Sequence, residues 1–275
     1  MTVSILLFLP IVAALLVLLF KNEAAKHAAL LFSLVELGIV FYFLAGFAVI
    51  MAILEYLFSG ETLKQSTEFN IARITRIYIN MIKTASFTLG LFMLGFGYCM
   101  VMVYNMTGPF IIEHQLMLTP VVVGYCSLIL GFAWMVGGFI GKATVKQPFY
   151  TKLVINTTLQ LVFVAAMIVS LGFAVNLYTL VFFAFIIHVC AGYTYNNYFT
   201  YSMSKFPQNA GIAGGLSGGI VYIIVSFLSY GIIYFIPAKD ERNLSHSYLI
   251  LILLSALVMF IIYRMNKKSK QLAAA

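Results

Sequence analysis

Charged residues are scarce in this chain, and acids are the scarcest. Only 9% of the 275 residues are charged, and aspartate and glutamate together number eight. A soluble domain carries about 25% charged residues, so a soluble globular class is excluded. Between Ala85 and Met265 the only acids are Glu113, Asp240 and Glu241, all read as loop residues, so no buried carboxylate is expected there. The chain also has no Walker A run, no G-x-S-x-G, no H-E-x-x-H and no CxxC pair. Nothing in it supports enzyme chemistry, a cofactor or a metal centre. The three cysteines, Cys99, Cys126 and Cys190, fall inside apolar runs without metal-ligand spacing and read as reduced packing residues. No basic n-region or A-x-A site precedes Lys21, so the first apolar run is expected to be a retained helix.

What the chain has in abundance is apolar sequence. It is 63% hydrophobic with a mean hydropathy of +1.04, and its apolar runs approach the roughly 20 residues that cross a bilayer. Eight spans are expected: 3–20, 28–58, 85–106, 117–141, 153–175, 178–203, 212–236 and 247–265. The fold class is therefore an all-α polytopic membrane helix bundle. The second run is overlong: at 1.5 Å per residue it measures about 46 Å against a hydrocarbon core of about 30 Å. Strong tilt, or a junction of two unrelated segments near Tyr42–Ala48, would explain the excess. Ser59–Thr84 reads as a loop. Its middle places Ile71, Ile74, Ile77, Tyr78 and Met81 at helical spacing, which predicts a short amphipathic helix at the membrane surface.

The net charge of +8 suggests nucleic acid, but the basic residues sit between apolar runs, and the positive-inside rule accounts for them better. With the N-terminus inside, twelve basic residues fall on the inner side. Only Lys21, Lys26, Lys239 and Arg242 fall outside. Both termini are therefore expected in the cytoplasm of a multi-pass protein.

Uncharged polar residues within spans are costly unless they face protein or water. His188–Gly219 crowds Tyr193, Tyr195, Asn196, Asn197, Tyr198, Thr200 and Tyr201 together, breaks at Pro207, and resumes through five glycines. The sixth span carries His188, Tyr193 and Asn197; the fifth carries Asn156 and Gln160; the third carries Tyr98 and Asn105 on one face. If these faces converge they line a wet, aromatic cavity without fixed charge, suited to a small amphiphilic or cationic substrate. Taken singly, each such residue is as well explained by interhelical hydrogen bonding. Gly211, Gly214, Gly215, Gly218 and Gly219 form a small-residue face where another helix is expected to approach closely, so bulk at Gly215 is expected to impair folding. Gly137 and Gly141 have the same spacing. Two acids lie within spans, Glu36 and Glu55, and Glu36, the deeper, is the better candidate for a proton site.

Four stretches in order carry a resemblance. They are GETL at Gly60–Leu63, YNMTGPFII at Tyr104–Ile112, LTPVVVGYCSLILGFAWMVGGFIG, and YNNYFTYSMSKFPQNAGIAGGLSGG. Across about residues 44–270 the chain resembles the C-terminal half of a major facilitator superfamily transporter, closest to the bicyclomycin-resistance type of drug/proton antiporter. The opening LLFLPIVAALLVLLFKNEAAKHAALLFSLVELGIVFYFL is similar to the N-terminal helices of chain M, the antiporter-like membrane subunit of proton-pumping NADH dehydrogenase. The resemblances imply three parts. Residues 1–45 are a two-helix membrane segment joined by fusion. Residues 46–84 are a helix end and a cytoplasmic amphipathic loop, and residues 85–270 are a six-helix half-transporter bundle. They also imply a bacterial inner-membrane location and multidrug efflux. That family's first half has no counterpart in this sequence, so a second half-transporter or a homodimer is implied as partner besides the lipid bilayer. The alternative is a non-transporting membrane subunit, or a fusion remnant related to the respiratory membrane arm.

Overall fold

The computed structural model describes residues 23–58 and 70–274. The expected span at 3–20 and the GETL stretch lie outside the described residues. The chain divides into two compact units, Met1–Phe69 and Asn70–Ala275. In the first, α1 (Glu23–Phe58) is one continuous helix, unbroken through Tyr42–Ala48. Glu36 lies on it, but its side chain is outside the described part of the structure.

The second unit begins with α2 (Ile71–Lys83), capped by Asn70, whose Oδ1 accepts the Arg73 N–H at 3.0 Å. Met81 is buried and Ile74 and Ile77 are half-buried, while Ile71 and Tyr78 stay exposed. The helix thus has the amphipathic character expected from its sequence. Six long helices follow: α3 (Ala85–Phe110), α4 (Pro120–Ala143), α5 (Phe149–Ser170), α6 (Leu177–Lys205), α7 (Ala210–Phe235) and α8 (Glu241–Ala274). No strand occurs among the described residues, and seven described helices are long and apolar enough to cross a membrane. The protein is a polytopic membrane helix bundle.

Local chemistry sets the ends. Pro120 occupies the first turn of α4, where a missing N–H costs nothing. Asn176 caps α6 in a reciprocal box: its Oδ1 accepts the Tyr178 and Thr179 amides, and Thr179 Oγ1 accepts the Asn176 amide. α3 runs further than its polar TGPFIIEHQ end suggests. Pro109 stays inside the helix, and the chain continues as a widened turn at Ile111–Gln115, where the Leu116 amide reaches back to Ile111 O at 2.9 Å. α8 likewise starts earlier than hydropathy indicates, because Asp240 Oδ1 accepts the Asn243 amide at 2.7 Å and caps it.

α3 and α6 form the centre and are buried around most of their circumference. α4 and α5 pack on α6, α7 and α8 pack on α3, and α5 meets α8 to close that side. α4 and α7 do not pack as a pair, which leaves a cleft between them over α3 and α6. α4 shows the outer pattern: Cys126, Leu130, Ala133, Gly137 and Gly141 are buried in one stripe, and Leu128, Phe132, Met135 and Phe139 are exposed as a lipid-facing side requires.

Candidate functional site

The tightest contact in the bundle is made by glycines on α4 and α6. A Cβ on Gly137 would lie 2.2 Å from Val189 O and 2.8 Å from Tyr193 N; one on Gly192 would lie 2.5 Å from Trp134 O. Only residues without side chains permit this approach. It turns Trp134 and Tyr195 toward the same space. Their rings lie 5.3 Å apart, and Tyr98 of α3 contacts Trp134 at 6.1 Å and Tyr195 at 6.3 Å. Tyr222 of α7 meets Tyr98 edge-on at 5.9 Å. Four rings from four helices therefore floor the cleft between α4 and α7, with Phe199 stacked on Tyr195 as an exposed extension. Asn105 lies two turns beyond Tyr98 on the same face of α3 and is exposed. No charged side chain occurs on α3 before Glu113, on α4 before Lys142, or anywhere on α7.

The other candidates are placed differently. Asn156 of α5 donates to Cys190 O at 3.1 Å and to Thr194 Oγ1 at 2.9 Å. Gln160 donates to Met100 Sδ at 3.0 Å and to Ile187 O at 3.3 Å. Both amides are buried clamps between helices, so they do not line the aromatic cleft. Asn156→Val is expected to cost about 1 kcal/mol of stability, read by thermal unfolding in detergent. Tyr193 pairs its hydroxyl with Thr144 Oγ1 at 2.9 Å. His188 is buried, with Nδ1 against Ala184 O at 2.7 Å and Nε2 without a partner, and its ring sits edge-on to Tyr104 and Tyr248. These seven residues do not converge on one cavity.

Asn197 belongs to a second space. A cavity of about 590 Å³ opens at the end of the bundle that carries the α4–α5 and α6–α7 connections. Lys142, Lys152, Asn197, Thr200 and Lys205 are among its lining residues. This space is not the uncharged one expected within the spans: it carries three ammonium groups, because α4, α5 and α6 all bring their basic ends to it.

Two further expectations are corrected. Among the described residues, no atom of another element lies within 4 Å of a Cβ position on Gly211, Gly215, Gly218 or Gly219, and only Met203 Sδ, at 3.8 Å, lies near one on Gly214. The close approach expected there falls at Gly137 and Gly192 instead, because α7 turns Ala213, Ser217 and Val221 toward α3. Gly211, Gly215 and Gly219 are left exposed, on the same side of α7 as Tyr222. Glu241 is not a loop residue. It opens α8, its carboxylate is buried, and neither oxygen has a hydrogen-bond partner among the described residues, while its amide donates to Gln115 Oε1 at 3.3 Å.

Sequence reasoning missed Trp134 and Tyr222 as site residues. The signals that could have found them were the only tryptophan of the chain and a tyrosine in register with the α7 glycines. No known protein family matches the chain, and no curated protein matches it.

Proposed function

We propose that this protein carries small amphiphilic compounds across a membrane, as a multidrug efflux protein of the major facilitator type. The observation that supports this best is the cleft between α4 and α7. It is floored by Tyr98, Trp134, Tyr195 and Tyr222, and it carries no charged side chain in its floor. Ring faces hold the apolar body of an amphiphile and attract a cationic head. Such a cleft needs an opposite wall, and the exposed Gly211, Gly215 and Gly219 beside it leave room for close approach of a partner bundle. That partner is a second copy or a different half-transporter, and transport proceeds by rocking of one bundle against the other around the cleft. The loop charges favour both termini in the cytoplasm, and the resemblance to the transporter family favours a bacterial inner membrane.

Cells expressing the chain are expected to accumulate less of a fluorescent lipophilic cation than cells with an empty vector. Tyr222→Ala, which removes an exposed ring without opening the core, is expected to restore accumulation at equal membrane abundance. Equal dye levels with and without the wild-type chain would remove the transport reading and leave the non-transporting subunit.

A further inference from the structure

Between Glu113 and Asp240 the sequence contains no acid, yet it carries Lys142, Lys146, Lys152, Lys205 and Lys239. Three of these lysines, one each from α4, α5 and α6, line the same 590 Å³ cavity, and no carboxylate lines it with them among the described residues. Lys152 is the informative one. It is 6% exposed, and its Nζ donates to Thr144 O at 3.1 Å, one neutral acceptor for a group with three N–H donors. A buried ammonium with a single carbonyl partner is poorly compensated. Lys205 sits over the Tyr201 ring at 5.0 Å, so its charge too is met by a neutral group. α5 opens beside the cavity at Pro148 without a side-chain cap, and its first amides add partial positive charge. Three ammonium groups and the α5 N-terminus thus outweigh the carbonyl ends of α4 and α6 that also reach this concave, partly apolar space, where low-dielectric walls strengthen the field.

We propose that this cavity binds a phosphate ester, with the ammonium groups of Lys142, Lys152 and Lys205 on the phosphate and the stacked Phe149 and Tyr201 rings against the organic body. The donor set selects the anion. No arginine lines the cavity among the described residues, so the planar fork that matches a carboxylate is missing from that set. Three point charges carried by three different helices instead suit a tetrahedral group with oxygens on every side. The Phe149 and Tyr201 rings, stacked at 4.8 Å, supply a flat apolar wall. The volume exceeds what a bare phosphate needs and fits a headgroup-sized ester. Such an ester comes either from an anionic phospholipid or from a soluble metabolite of the same chemistry. The site is separate from the aromatic cleft, and the inference does not depend on transport.

The test uses the full chain purified in a neutral detergent. One arm titrates short-chain phosphatidylglycerol in mixed micelles, with phosphatidylcholine as the zwitterionic control; the other titrates glycerol 3-phosphate. Calorimetry reads the dissociation constant. Saturable binding in at least one anionic arm is expected, weakened at high salt. Binding of the lipid alone identifies the membrane source, and binding of the soluble ester identifies the other. Lys142 and Lys205 are exposed, so Lys142→Gln with Lys205→Gln leaves the fold intact and is expected to weaken binding at least ~10-fold. Lys146→Gln, in the same connection but outside the lining, is expected to change it less than ~2-fold. No saturation in either arm, binding equal to that of phosphatidylcholine, or equal loss with Lys146→Gln would each overturn the proposal.

Discussion

Gly137→Ala is expected to destabilise the bundle severely, by about 3 kcal/mol or more, at the upper end of what overpacking costs. The reason is what the new methyl group would meet. Val189 O and Tyr193 N are backbone atoms at 2.2 and 2.8 Å, and neither can rotate away. Relief requires α4 to separate from α6 and loosen the tightest contact in the fold. The clash also pulls Trp134 off the cleft floor, so a loss of dye transport should accompany the loss of stability. Gly215→Ala is the matched control. Nothing lies within 4 Å of its Cβ position, so its stability should stay within about 0.5 kcal/mol of wild type. Melting temperature and monodispersity in detergent check both. Equal melting of Gly137→Ala and wild type would show that the helices do not meet as described.

Glu241→Gln is expected to raise stability, by about 1–3 kcal/mol at neutral pH. Few single changes to a folded protein act in that direction. Glu241 is 1% exposed with both carboxylate oxygens unpaired, whereas an amide of the same shape carries no charge to desolvate. Asp240 caps α8, and that cap is untouched by the change. Glu113→Gln, at a half-buried position, should leave the melting temperature unchanged. A lower melting temperature for Glu241→Gln would mean that the carboxylate is engaged by a favourable partner, and the destabilising role would be abandoned.

These two residues also show which features the sequence exposed. Spans are a matter of composition, so the run from α3 to α8 was legible, as was α2 from Ile74, Ile77 and Met81. Helix ends were less so. Hydropathy treats Asp240, Glu241 and Arg242 as loop, although a capping aspartate makes them the first turn of a helix. The site was the least legible part. Gly137/Gly141 and Gly211/Gly215/Gly219 have the same four-residue spacing, and nothing local says which set meets a backbone. That choice fixes the rotation of α4 on α6, and the rotation decides whether Trp134 and Tyr195 face a cleft or lipid. Asn156 and Gln160 illustrate the converse. Their polarity marked them as lining a cavity, but within a lipid-embedded bundle the same polarity is satisfied by a carbonyl on the next helix.

The glycine contact between α4 and α6 sets a clock on biogenesis. Gly192 is synthesised about 55 residues after Gly137, which at 5–20 residues per second is roughly 3–11 s. During that interval α5 is still being made, and the glycine notch of α4 has no mate. Lipid chains, or whatever the insertion machinery offers, must fill it and then leave. Slowing translation between Ala143 and Asn176 would lengthen that exposure, and speeding it would shorten it. The yield of folded protein should therefore follow codon choice in that stretch more closely than in any of equal length after Lys205, where the mate is already made.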